Sequence, residues 1–273
     1  MESANIDGVV LEYEISGTGE PVVFIHGALI ADTFRPLLSE PGLTNRYRMI
    51  SWHRRGHAGS SPVSGPTSIR QQAADCLALL RHLAIDRAHI VGHSSGGDIA
   101  IQLALDAPGV VHSLALLEPA LFVGTSAPGY RAALGAAAGR FREVGGSVAV
   151  DGFLTARWPS YREPLDRMLP GSFDQGLANA STFFEHEIPG ILEWSFGEQE
   201  AKRITQPVLT VLGGENAAPG SRFAEVHQQL LEWLQGAEGA ILPGAFHLLQ
   251  VQDPAGTATI LADFWDRHPL TAQ

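Results

Sequence analysis

The feature that most constrains this chain is a series of short, unbroken apolar runs separated by stretches of helical spacing. Residues 21–25, 47–52, 88–92, 111–117 and 207–212 each read as a strand covered on both faces, with 240–242 as a short last member. Between them, 68–83 places Ile69, Ala73, Cys76, Leu77 and Leu80 on one helical face, and 97–105, 223–234 and 253–265 read the same way. Strands that alternate with helices connect as parallel crossovers. The expected fold is therefore α/β, a mostly parallel, doubly wound sheet with helices on both faces. At the start, 9–15 alternates apolar and polar residues between the turn pairs Asp7-Gly8 and Ser16-Gly17, which predicts an N-terminal hairpin.

One region breaks the alternation. Residues 120–206 hold no convincing buried strand and are rich in Ala, Gly and aromatic side chains, with a helix expected over 130–144. This predicts a core formed by 1–119 and 207–273 and a helical cap formed by 120–206. The cap aromatics are expected to make a small core of their own while a few face a pocket.

Charge excludes some partners. Acidic side chains number 29 against 18 basic ones, a formal net charge of −11. A nucleic-acid partner needs clustered Lys and Arg, and an anionic membrane surface needs a basic patch; neither is present. Cys76 is the single cysteine, so neither an internal disulfide nor a cysteine-based metal site can form. The first residues lack the basic and apolar regions of a secretory signal, and no apolar run reaches the roughly 18 residues of a membrane span. A cytoplasmic protein is the expectation.

Gly92-His93-Ser94-Ser95-Gly96 matches G-x-S-x-G, after an apolar run and before a helix containing Ile99, Ala100, Leu103 and Ala104. The strand–turn–helix context gives the motif its meaning. A serine on a strained turn, flanked by glycines that let backbone pass close by, presents its hydroxyl at a helix N-terminus, where N–H groups favour developing negative charge. Ser94 is the expected nucleophile, since the glycine spacing centres on it and not on Ser95.

Together with His26-Gly27 after the 21–25 run, Arg54-Arg55-Gly56-His57-Ala58-Gly59-Ser60, and Phe246-His247 near the end, this layout resembles the α/β-hydrolase superfamily over roughly residues 20 to 265. The resemblance implies an oxyanion hole from the backbone N–H groups of Ala28 and Ser95. It also implies that His247 is the general base, consistent with the chain order serine, acid, histidine. His26 is read as a loop-shaping residue and His93 as packing. His57, His186 and His227 are read as solvated or structural. The 54–60 loop departs from the family pattern at Ala58, where glycine is commoner, and His53 stands where an aspartate is frequent.

The acid departs from the commonest arrangement too. Counting past Gly213, the usual aspartate position falls on Asn216. A neutral amide does not stabilise an imidazolium, and such a replacement can cost about 10⁴-fold in turnover. Glu118, at the end of the 111–117 strand, resembles the acid of some family branches, and Glu215 is the alternative. Asp98, on the nucleophile helix, is expected to point away.

The resemblance implies acyl transfer without metal or organic cofactor, on an ester, lactone or thioester of a moderately apolar small molecule. Carbon–carbon bond hydrolysis and perhydrolysis are the rivals on the same fold, and a ligand-sensing receptor with slow or no turnover is the rival from another class. Halide displacement and epoxide opening, which relatives perform with an aspartate nucleophile, are disfavoured by Ser94.

Overall fold

Period-two alternation in the buried strands sends neighbouring side chains to opposite faces, and two cores result. In the computed structural model, which describes residues 1–270, Val23, Ile25, Ile90, Leu114 and Leu116 pack into one core. Val22, Phe24, Val91, Ala115 and Leu117 pack into the other. The strands are β1 (Glu2–Ile6), β2 (Val9–Ser16), β3 (Glu20–Ile25), β4 (Tyr47–Trp52), β5 (Ala88–His93), β6 (Val111–Leu117), β7 (Val208–Gly213) and β8 (Glu238–Leu242). They form one sheet in the order β1-β2-β4-β3-β5-β6-β7-β8. From β4 to β8 every pairing is parallel, and β1–β2 and β2–β4 are antiparallel. The expected N-terminal hairpin closes at Asp7 and Gly8, both at positive φ.

Helices cover both faces, as a parallel sheet requires. α1 (Ile69–His82) and α2 (Ser95–Asp106) lie on the first core, and Ser68 caps α1 by accepting the Gln71 N–H at 3.0 Å. The last long helix, Pro254–Arg267, buries Leu261, Phe264 and Trp265 in the second core, capped by Asp253. β8 is one of the two edge strands, and its alternating burial explains why only its last residues read as strand in the sequence.

From β3 the chain steps to β4 on one side and then to β5 on the other. The order thus reverses between β3 and β5, and a crevice opens at their carboxyl ends. The loops leaving those strands carry His26-Gly27-Ala28 and Ser94.

Between β6 and β7 the chain carries helices and no strand: α3 (Ala127–Val144), α4 (Gly146–Thr155), α5 (Arg162–Met168), α6 (Ser172–Ala178), a π-helical turn (Thr182–Glu187) and α7 (Ile188–Glu193). Leu134, Val150, Leu154, Phe183, Phe184 and Ile188 join the first core directly, so the segment packs continuously with the sheet layer. Polar groups fix it over the β3 and β4 loops. Asn179 Nδ2 donates to the Leu29 carbonyl at 2.8 Å, and Thr182 Oγ1 to the Gly56 carbonyl at 2.7 Å. Buried Arg54 pairs with buried Glu187. His53 bridges Glu12 at 3.0 Å and Asp32 at 3.1 Å, and Asp32 also accepts from Gln175 of α6. Burial opposes charge on His53, but the two carboxylates outweigh it and raise its pKa. Ala58 adopts φ 48°, the left-handed conformation that explains why glycine suits this position.

Candidate active site

Ser94 sits between β5 and α2 with φ 54° and ψ −126°, a strained conformation for a residue bearing a Cβ. Close packing allows it: a Cβ on Gly96 would run into the Ile25 carbonyl, and one on Gly92 into the Gly96 carbonyl. The turn is locked from β6, because the Ser94 N–H donates to the Leu117 carbonyl at 3.0 Å and its carbonyl accepts from Ala120 at 3.2 Å. Ser94 is 8% exposed, which leaves a narrow approach to the hydroxyl.

The His26–Ala28 loop passes beside this turn; a Cβ on Gly27 would lie 2.9 Å from Ser94 Cβ. Ala28 N–H donates to nothing among the described residues. Ser95 opens α2, so its N–H has no intrahelical acceptor. The loop and the turn that approach each other thus each carry a backbone N–H without an acceptor. His26 shapes the loop, as expected, with Nε2 accepting the Arg54 N–H at 3.1 Å.

Glu118 follows β6 directly and takes φ 43°, so it too is a strained residue at the carboxyl edge. Its Oε2 lies 2.8 Å from His247 Nδ1. Its Oε1 accepts the Gly213 N–H at 2.8 Å, and Asn216 Nδ2 sits 3.0 Å from both oxygens. A carboxylate only accepts, so His247 Nδ1 carries the proton and Nε2 presents its lone pair. Burial raises Glu118 to about 7 against the pull of Asn216 and Gly213. Burial also holds His247 well below the ordinary histidine range, with the charges of Arg157 and Arg222 adding to the effect. Phe223 lies over the imidazole with ring centroids 4.6 Å apart.

Of the two candidate acids, the structure brings Glu118 to His247. Glu215 is exposed on the short turn Gly214–Asn216, where its N–H donates to the Ala245 carbonyl. Asn216, an unsuitable acid by itself, donates to Glu118; its place in the usual aspartate position is the only signal for this in the sequence. Asp98 stays on α2 and accepts the Ala120 N–H at 3.0 Å, where burial raises it well above the usual carboxylate range.

His93 packs, and also does more. Its Nε2 donates to the His247 carbonyl at 2.8 Å and so ties the Ser94 turn to the His247 loop. Burial, with His247 beside it, lowers it to about 3 and keeps it neutral. No hydrogen bond joins the Ser94 hydroxyl to His247 among the described residues. Such bonds commonly tighten only when the reacting group is in place.

A cavity of about 1370 Å³ opens between α3, α4 and the loop after β7. Its walls include Leu134, Ala137, Val148, Phe153 and Phe184, and it reaches Asn216 and Phe223, the residues against Glu118 and His247. The cap aromatics therefore do two things: Phe183 is buried against Phe153 and Phe184, while Phe153 and Phe184 also face the cavity. Arg157 and Arg222 line it as well, and nothing in the sequence singled them out.

A family model described as alpha/beta hydrolase fold matches residues 20–155. A dihydrolipoyllysine-residue acetyltransferase component of an acetoin cleaving system from Cupriavidus necator is 27% identical over 95% of this chain. The chain spans 62% of that protein, less than two thirds of its length. Among solved structures, a thermophilic esterase from Thermogutta terrifontis superimposes with a TM-score of 0.84 at 19% identity, covering 98% of this chain and 100% of that one. An N-acyl homoserine lactone degrading enzyme superimposes with a TM-score of 0.74 at 25% identity, covering 96% of this chain and 100% of that one.

Proposed function

We propose that this chain, which belongs to the α/β-hydrolase superfamily, is a serine hydrolase that cleaves a carboxylic ester, lactone or thioester of a moderately apolar small molecule. The observation that carries the reading is the buried contact of Glu118 Oε2 with His247 Nδ1 at 2.8 Å. It fixes the proton on Nδ1 and leaves the Nε2 lone pair free, and in this reading that lone pair serves Ser94. Likeness to an esterase and to a lactone-degrading enzyme supports the same class.

In this reading His247 Nε2 takes the Ser94 proton as Oγ bonds to the substrate carbonyl carbon, and the carbonyl π pair moves onto oxygen. The Ala28 and Ser95 N–H groups hold that oxyanion. As the tetrahedral centre collapses, the bond to the leaving group breaks and that group takes the proton from His247. A water activated by the same nitrogen then releases the acid and restores Ser94. Glu118 stays ionised, fixes the tautomer and stabilises the transient imidazolium.

A fluorophosphonate probe tests the nucleophile. Wild-type protein is expected to be labelled at Ser94 and Ser94→Ala to lose both the label and at least about 10³-fold in kcat on activated esters. Labelling elsewhere, or ester turnover unchanged in Ser94→Ala, sinks the reading. Tight ligand binding with no labelling and no turnover favours a receptor.

A further inference from the structure

Two arginines line the cap cavity without an acidic partner. Arg222, the first residue of α8 (Arg222–Trp233), lays its guanidinium 3.7 Å from the Tyr130 ring centroid and 4.1 Å from that of Phe223. Its Nη1 is buried and has no hydrogen-bond partner, and no carboxylate pairs with it among the described residues. Arg157 stacks over Phe153 at 3.3 Å and spends Nη1 on the Phe153 carbonyl at 2.9 Å. It too lacks a carboxylate partner among the described residues. Its own carbonyl accepts the His247 N–H at 3.4 Å, and Phe223 stacks on the His247 ring, so both arginines stand beside the base.

Stacking on aromatic faces accommodates the flat guanidinium but leaves its in-plane N–H donors unused. Of the nearby acids, Glu118 is held by Gly213, Asn216 and His247. Asp98 accepts from Ala120 through one oxygen and keeps the other buried without a partner; burial disfavours its charged form against the pull of Arg222, and no hydrogen bond or ion pair joins the two among the described residues. Arg140 and Glu143 line the cavity from exposed positions on α3. The two inner arginines repel each other; burial lowers Arg157 to about 10, and the Arg222 charge pushes it the same way. Two permanent cations held together with donors to spare form an arrangement that an anion relieves.

We infer that Arg157 and Arg222 form a receptor for a carboxylate carried by the substrate, seated in the apolar cap cavity beside His247. The inference rests on the hydrolase reading and narrows its substrate to an ester, lactone or thioester whose far end is anionic. The aliphatic and aromatic cavity wall accepts the hydrocarbon that joins the two ends. Local recognition has to overcome the overall charge of −11, which repels anions at a distance.

Binding of adipate and of neutral adipamide is to be measured by calorimetry, which needs no turnover. Adipate is expected to bind the wild-type chain at least about 10-fold more tightly than adipamide, the preference worth one charge-assisted contact. Arg222→Met and Arg157→Met should each lose most of that preference, and Arg222→Lys, which keeps the charge but not the fork, should keep part of it. The p-nitrophenyl monoester of adipate, compared with p-nitrophenyl hexanoate, should show the same ranking in kcat/KM. Equal binding of adipate and adipamide by the wild-type chain overturns the inference whatever the variants do, as does a preference that survives in a folded Arg157→Met, Arg222→Met double variant. Fluorophosphonate labelling of Ser94 reports separately on the hydrolase reading, so failure of one is distinguishable from failure of the other.

Discussion

Asn216 donates to both oxygens of Glu118, and this places an amide in charge of a carboxylate that burial otherwise drives toward neutrality. The consequence is a pH profile. Glu118 and His247 lie 2.8 Å apart and titrate as a pair, so the proton that removes activity on the acid side is one added to the pair, and burial of the Glu118 carboxylate favours its uptake. The hydrogen bonds from Asn216 favour the charged form. Asn216→Ala removes them, raises the Glu118 pKa and is expected to move the acid limb of kcat/KM for a neutral ester to higher pH; an unmoved limb counts against this role. Asn216→Asp adds a second carboxylate 3.0 Å from the first and should lower turnover at neutral pH by at least about 10-fold. Glu118→Gln should cost roughly 10⁴-fold in kcat. Glu215→Gln, on an exposed turn, should be mild, and the reverse ranking in steady-state kinetics would move the acid to Glu215. At this scale the sequence singles out Ser94 and His247 as candidates, because their motifs are local. It left the acid open between Glu118 and Glu215, since the choice depends on how two neighbouring strands align their carboxyl ends.

Among the elements, the π-helical turn Thr182–Glu187 carries the strongest polar link between the segment over the sheet and the β4 loop. Glu187 and Arg54 are both buried, and Arg54 also reaches Gln72 and the His26 and Gly27 carbonyls. That arginine therefore supports the loop that carries Ala28. Glu187→Gln leaves Arg54 charged without its counter-charge, and breaking a buried pair this way should cost ~3–5 kcal/mol of stability. Denaturant unfolding measures the loss, and a change below about 1 kcal/mol would show that the other Arg54 partners suffice. The Arg-Gly-containing loop after β4 was legible as architecture in the sequence. Its partner in the cap was not, because Glu187 lies 133 residues away and no local pattern marks an acid for burial.

For the molecule as a whole, the helical segment between β6 and β7 shares its apolar core with α1, α2 and the sheet face beneath it. A shared core predicts shared cooperativity. Thermal unfolding followed by near-ultraviolet and far-ultraviolet circular dichroism should give one coincident transition. An early transition confined to the cap aromatics would show that residues 120–206 fold as a unit of their own. Among the described residues no helix is long and apolar enough to cross a membrane.

Strand and helix periodicity along the chain determined the class of fold, the position of the Gly92–Gly96 turn and the stretch without strands, because these depend on neighbours a few residues apart. Only the tertiary structure decided that Glu118 meets His247, that Asn216 steadies it, and that two arginines share one cavity. Each of those contacts joins residues from separate elements, and their meeting follows from sheet order and packing, which no short-range pattern encodes.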